Sequence, residues 1–145
     1  MTAMREIEFR GLVADEPYTW VHGHLLSKNR IHQEYEPKHG CCGIGIFNVL
    51  PESIGQYTGC RDKHNTKIFE NDLVKDFKRG RLYKIIYDGG SFILYDEEEK
   101  QYGPELFFYE TNDLEVIGNS FTLEGNKNGI KHELETILGI LRCLL

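Results

Sequence analysis

The sequence has no long apolar run and no leader-like start. None of its apolar stretches approaches the roughly 20 residues that a membrane-spanning helix needs. The first residues, MTAMRE, are polar and predict no signal peptide. We therefore expect an intracellular protein. Its four cysteines are then expected to be reduced thiols.

The histidines and cysteines lack the spacing of a structural zinc site, which usually combines pairs such as C-x2-C. His22 and His24 share one face of a predicted strand. Cys41 and Cys42 lie in a glycine-rich loop near His39. A catalytic thiol also needs a base that a third group orients, and the sequence shows no such set. We expect no metal, no cofactor and no enzyme activity.

The charge balance gives little support to broad binding of nucleic acid, because the net charge is −6. A local basic patch remains an alternative, with aromatic residues nearby that could stack on bases, as in other small barrels. Asp76 and Asp88 dilute this patch. The candidate nucleic-acid-binding residues are Lys75, Lys78, Arg79, Arg81 and Lys84.

The strand pattern predicts a mostly β protein with a minor α part. Hydrophobic residues make up 40% of the chain, which is enough for a core. We expect Trp20 at the centre of the N-terminal part of this core. Asp88-Gly89-Gly90 is the strongest hairpin signal. The segment 41–46 has too many glycines for a regular element. The predicted strands are 4–12, 18–26, 29–35, 73–77, 81–87, 91–95, 105–110 and 113–119.

Short strands joined by close turns favour a closed or nearly closed small barrel. We expect a single domain over residues 1–145, with a β-rich region at 4–121 and a separate helix at 126–145.

The stretch 54–75, IGQYTGCRDKHNTKIFENDLVK, is dense in residues that favour turns. Together with the opening MREI and the later EVIGN, it resembles the YopX family, small proteins of phages and prophages without an established activity. The resemblance covers about residues 4–26 and 49–121. It implies an SH3-type barrel meander with extra N-terminal strands, in the cytosol of a bacterial host.

Within this stretch, Asn65 and Asn71 stand where the family usually has glycine. Asparagine tolerates a positive φ better than most residues, so we expect both positions to adopt one. Asp62, Lys63 and Asp72 either shape the turns or form a surface that a partner reads.

The C-terminal segment has apolar residues at helical spacing and lies outside the resemblance. A helix of this length is unstable alone in water. Its apolar face is therefore expected to pack on the barrel or on another subunit. The candidate oligomer face consists of Ile130, Leu134, Ile137, Leu138, Leu141 and Leu145.

Together these patterns predict a non-enzymatic accessory protein of a phage or prophage. It would associate with itself or bind a host or phage protein. Nucleic-acid binding through the basic hairpin is the alternative.

Overall fold

The computed structural model describes residues 5–15, 18–34, 44–109 and 111–121. The chain divides after Gly59 into two compact units, which we describe separately. A single domain over residues 1–145 remains a prediction. The proposed helix at 126–145 and its candidate oligomer face lie outside the described residues.

The first unit is built on an antiparallel sheet with the strand order β4-β3-β2-β1-β5. A 3-10 helix, Pro51–Ser53, precedes the last of these strands. The strands are β1 Phe9–Leu12, β2 Trp20–Ser27, β3 Arg30–Glu34, β4 Ile44–Asn48 and β5 Gly55–Arg61.

One face of this sheet carries a small core of Val21, Ile31 and Val49. Trp20 is not at its centre, so that prediction was wrong. Val21 points into the core, and strand alternation turns its neighbour Trp20 to the other face. There the indole is half-buried and lies under the guanidinium of Arg10, 5.0 Å from the ring centre.

Two strand boundaries also differ from prediction. The first strand begins at Phe9 instead of residue 4, and Ile7 is exposed. Ile44–Asn48 is a strand, although its glycines argued against a regular element. Gly45 is accommodated because β4 is the last strand of the sheet and pairs in regular register with β3. The strand predicted at 29–35 is confirmed as Arg30–Glu34.

The second unit contains an antiparallel five-stranded sheet with the order β10-β9-β8-β7-β11. A short strand, β6, forms a hairpin with the end of β5, in which the Asp62 N–H donates to the Thr66 carbonyl at 2.9 Å. The strands are β6 Lys67–Phe69, β7 Asp72–Asp76, β8 Arg81–Asp88, β9 Ser91–Asp96, β10 Gln101–Glu105 and β11 Leu114–Asn119.

The core of the second unit gathers alternate residues from these strands on one face of the sheet. Leu106 joins it from a 3-10 helix, Leu106–Phe108. The buried members are Ile68, Val74, Tyr83, Ile85, Phe92, Leu94, Leu106 and Leu114.

The predicted β8–β9 hairpin is confirmed. Asp88 pairs with Ser91, so the two-residue loop is Gly89-Gly90, and both glycines have positive φ, 58° and 82°. A loop of this kind needs φ above zero at both positions, which glycine adopts without strain.

The strand predicted at 105–110 was wrong. The strand is Gln101–Glu105 and contains Pro104, while Leu106–Phe108 forms a 3-10 helix. Pro104 is tolerated because β10 lies at the sheet edge and its register shifts between Tyr102 and Glu105.

The described strands form two antiparallel sheets and no closed barrel, so the closed form of the predicted closed or nearly closed barrel was wrong. In the second unit, β10 and β11 lie at opposite edges of the sheet and do not pair with each other. Pro104 offers no N–H for such pairing. Among the described residues, no helix is long and apolar enough to cross a membrane.

Candidate functional site

The carboxylate of Asp62 ties the turn after β5 to strand β11. Its Oδ1 accepts hydrogen bonds from the backbone N–H groups of His64 and Thr66, both at 2.9 Å. Its Oδ2 accepts one from the Val116 N–H at 2.9 Å. Burial by itself would raise the pKa of Asp62, but these bonds outweigh it and hold the pKa below the usual 3.8.

The two asparagines of this stretch have positive φ, as predicted: 64° at Asn65 and 72° at Asn71. Asp72 follows, and its Oδ2 accepts a 2.7 Å hydrogen bond from the Phe69 N–H. Asp62 is 6% exposed and Asp72 is 1% exposed. Their carboxylates shape turns and are not available as a surface that a partner reads.

Two further aspartates organise the turns at one end of the five-stranded sheet. Oδ1 of Asp76 accepts from the N–H groups of the residues two and three positions later, at 2.9 and 3.0 Å. Oδ1 of Asp96 does the same at 2.9 and 3.0 Å. Both turns end on a positive φ, at Gly80 and Lys100. The β7–β8 and β9–β10 connections therefore repeat one local design.

The second oxygen of Asp76 belongs to a partly buried relay of hydrogen bonds. The Tyr109 hydroxyl donates to Asp76 Oδ2, and Arg79 Nη1 donates to the same hydroxyl at 2.6 Å. Burial alone would raise the pKa of Asp76, but the bonds from Tyr109 and from the backbone N–H groups of the turn lower it below 3.8. Burial, followed by the bond to Asp76, raises the pKa of Tyr109. The bond to Tyr109 raises the pKa of Arg79.

A groove of about 480 Å³ lies beside these turns. Arg81 Nη1 contacts Asp96 Oδ2 at 3.1 Å and Glu99 Oε1 at 3.5 Å. Arg79 and Arg81 therefore face one cavity, where Asp76 of its own turn holds Arg79 and Asp96 of the neighbouring turn holds Arg81. The groove is lined by Arg79, Arg81, Tyr83, Asp96, Glu99, Gln101, Tyr102 and Gly103.

Two adjacent aromatic side chains stand out of the 3-10 helix that follows β10. Phe107 is 58% exposed and Phe108 is 84% exposed. Leu106, just before them, is fully buried in the core, and Tyr109, just after them, is bonded to Asp76. We call Phe107 and Phe108 the aromatic ledge. It is anchored on both sides and adjoins Arg79 of the groove through Tyr109.

Comparison with known proteins agrees with the resemblance seen in the sequence. The family model for the YopX protein matches residues 8–122. The chain belongs to the YopX family. A comparison with the curated proteins found no match. The family signature of this YopX chain thus coincides with the turns that Asp62, Asn71 and Asp72 form.

The structure separates the basic residues predicted from the sequence of this YopX chain. Arg79 and Arg81 meet at the groove, and Lys78 is exposed on the neighbouring turn. Lys84 is half-buried and, by strand alternation, lies on the face of β8 opposite the core. Lys75 is only 2% exposed, and its Nζ has no hydrogen-bond partner among the described residues.

A second, smaller pocket of about 210 Å³ lies in the first unit of the YopX chain. The sequence placed His22 and His24 on one face, and the structure adds His32 from the next strand. The rings of His24 and His32 stack at 6.1 Å, and His22 Nδ1 lies 3.9 Å from Glu8 Oε2. Within the described ranges, no three His, Cys, Asp or Glu residues are arranged to hold a metal ion.

Sequence reasoning missed the parts of the site that depend on contacts across the fold. Tyr109 was assigned to a strand, and its bond to Asp76 spans 33 positions. Phe107 and Phe108 were expected inside that same strand. The signal that could have found them is the run Leu-Phe-Phe-Tyr at 106–109, which begins two positions after Pro104 and has no period-2 alternation.

Proposed function

We propose that this YopX-family chain is a non-enzymatic accessory protein of a phage or prophage that binds another protein in the bacterial cytosol. The aromatic ledge is its contact surface. The observation that carries this proposal is the exposure of two adjacent phenylalanines, 58% and 84%, on a segment fixed at both ends. Aromatic residues and arginine are enriched in the energetic centres of protein interfaces.

The energetics favour a binding role for the ledge. Fully burying a phenylalanine side chain stabilises a complex by about 1.5–3 kcal/mol. Burial of the two rings would therefore contribute substantially to the binding free energy. Leu106 and Tyr109 hold the segment from both sides. The backbone around the rings is therefore ordered before the partner arrives, which lowers the entropic cost of binding.

A binding role also fits the state of the perturbed carboxylates. Asp62 and Asp76 have lowered pKa values because backbone N–H groups and Tyr109 bind them. Their oxygens accept hydrogen bonds that stabilise turns. A general base would need an ionised carboxylate facing substrate with a pKa near the working pH.

Nucleic acid is the second candidate, because Arg79 and Arg81 line one groove. The carboxylates of Asp96 and Glu99 lie beside the Arg81 guanidinium, that of Asp76 lies beside Arg79, and all three would oppose a phosphate. This alternative predicts salt-sensitive binding that weakens when both arginines become alanine. Absence of any shift with single-stranded DNA, duplex DNA or RNA at low salt would remove it.

Self-association and the SH3-type arrangement are part of the same proposal. The strand order β10-β9-β8-β7-β11 supports a small meander of that type. Self-association would use the apolar stripe from Ile130 to Leu145. Light scattering on the full chain and on a chain lacking 126–145 tests this point, and a full-length monomer would count against it.

The ledge is tested by a double substitution, Phe107→Ser with Phe108→Ser. Full-length protein and this variant are used as baits in lysate of phage-infected host cells. Captured proteins are identified by mass spectrometry and confirmed with purified components. We expect a defined protein to bind the wild type and to be lost with the double variant. Tyr18→Ser is the matched control, since Tyr18 is 56% exposed in the first unit. Equal binding by all three proteins would refute the role of the ledge.

A further inference from the structure

The groove beside the ledge contains a pair of arginines whose hydrogen-bonding capacity is only partly used. Arg79 donates through Nη1 to Tyr109 and Asp76, and Arg81 donates through Nη1 to Asp96. Within the described part of the chain, neither Nε nor Nη2 of either residue has an acceptor. An arginine carries five donors in a planar fork that matches a carboxylate.

The anchors of these arginines are fixed. Asp76 is fully buried and Asp96 is 8% exposed, and both accept two backbone N–H bonds from their own turns. Neither carboxylate can leave without breaking its turn. Asp76 and Asp96 therefore hold the two guanidiniums in place, with their remaining donors unused.

Glu99 is different from these two aspartates. Its side chain is 58% exposed and lines the groove, and its Oε1 lies 3.5 Å from Arg81 Nη1. An exposed ion pair at this distance contributes little and is easily exchanged. The chain itself thus places a long, exposed carboxylate side chain, that of Glu99, against Arg81.

We propose that the groove binds a carboxylate side chain of the partner protein, an Asp or Glu next to the residue seated on the aromatic ledge, and that Glu99 occupies this position until the partner displaces it. The inference rests on the proposed protein-binding function and names the chemistry that the partner must present. Exchange of Glu99 for the partner's acid replaces one carboxylate by another and leaves the charge of the groove unchanged, whereas a phosphate would bring more negative charge against the fixed Asp76 and Asp96.

The test uses the full chain and a defined probe. Chemical shifts of the arginine Nε–H groups are followed by NMR during titration with N-acetyl-glutamate α-amide. The neutral N-acetyl-glutamine α-amide is the matched probe. We expect saturable shifts at Arg79 and Arg81 with the acid only. Glu99→Gln is expected to tighten binding about two- to fivefold, the range for releasing one exposed ion pair.

Two variants separate this site from general charge effects. Arg81→Gln is expected to abolish the saturable shift. Arg61→Gln is the control and is expected to leave it unchanged, because Arg61 bonds to the Asn65 carbonyl and does not line the groove. Inorganic phosphate and a short oligothymidylate are titrated in parallel. Tighter binding of either, equal response to the glutamine probe, or unchanged affinity in Glu99→Gln overturns the proposal.

Partner capture distinguishes the two ideas. If Arg81→Gln still captures a partner that the ledge variant loses, the carboxylate inference fails and the proposed function stands. If the ledge variant still captures the partner while the acidic probe still shifts the Arg81 signal, the proposal that the ledge is the contact surface is refuted.

Discussion

Replacing Asp62 with asparagine isolates the contribution of one carboxylate to the fold. Asparagine keeps the shape of the side chain but has a single acceptor oxygen. That oxygen can serve either the N–H groups of His64 and Thr66 or the N–H of Val116. The amide NH₂ then faces a donor on the other side.

The magnitude follows from that mismatch. Leaving one buried donor unsatisfied costs about 1–3 kcal/mol, so Asp62→Asn should lower the free energy of unfolding by that amount. Asp62→Ala removes all three bonds and should cost roughly 2–4 kcal/mol, because the N–H groups of the turn can still reach water. Urea unfolding followed by circular dichroism measures both, with the exposed Asp15→Asn as a control for charge loss.

The effect of this substitution depends on pH, because the pKa of Asp62 differs between the folded and unfolded chain. The folded pKa of Asp62 lies below its usual 3.8, so its contribution is complete above that value and is lost as pH falls through the folded pKa. The difference between wild type and Asp62→Asn should therefore be full near pH 7 and should shrink near pH 3. Equal unfolding midpoints for Asp62→Asn and Asp15→Asn near pH 7 would refute the reasoning.

Three other substitutions test separate contacts. Tyr109→Phe removes the hydroxyl between Arg79 and Asp76; it should destabilise the chain by about 1–2 kcal/mol and raise the pKa of Asp76, read from carboxyl ¹³C shifts. Lys75→Met replaces a buried ammonium without a hydrogen-bond partner among the described residues; it should stabilise by about 1–3 kcal/mol in urea unfolding, and a loss would contradict the argument. Gly103→Ala places a Cβ 2.5 Å from the Leu94 carbonyl oxygen; it should destabilise by about 1–3 kcal/mol, and an unchanged melting temperature would contradict it.

Local chemistry predicted much of the second unit. The strands at 73–77, 81–87, 91–95 and 113–119 are observed within one residue at each end. Positive φ at Asn65 and Asn71 followed from the side chains that tolerate it. These features depend on neighbours along the chain, and the sequence displays those neighbours directly.

The errors came from features that tertiary context decides. Pro104 was taken to precede a strand, but an edge position with a register shift admits it inside one. Trp20 has the largest apolar surface nearby, yet Val21 has the position that faces the core. The relay of Asp76, Tyr109 and Arg79 joins segments about 30 residues apart, and only the register of the sheet brings them together.

The proline in β10 has a consequence for how these molecules behave when crowded. Among the described strands, β10 is paired on one side only, and the unpaired edge of a strand can template the addition of a strand from a neighbouring molecule. Pro104 interrupts the row of backbone N–H donors along this edge of the sheet. The register shift between Tyr102 and Glu105 also makes the pairing of β10 irregular. We therefore expect this edge to resist the addition of a strand from another molecule, even though the exposed Phe107 and Phe108 lie only a few positions away.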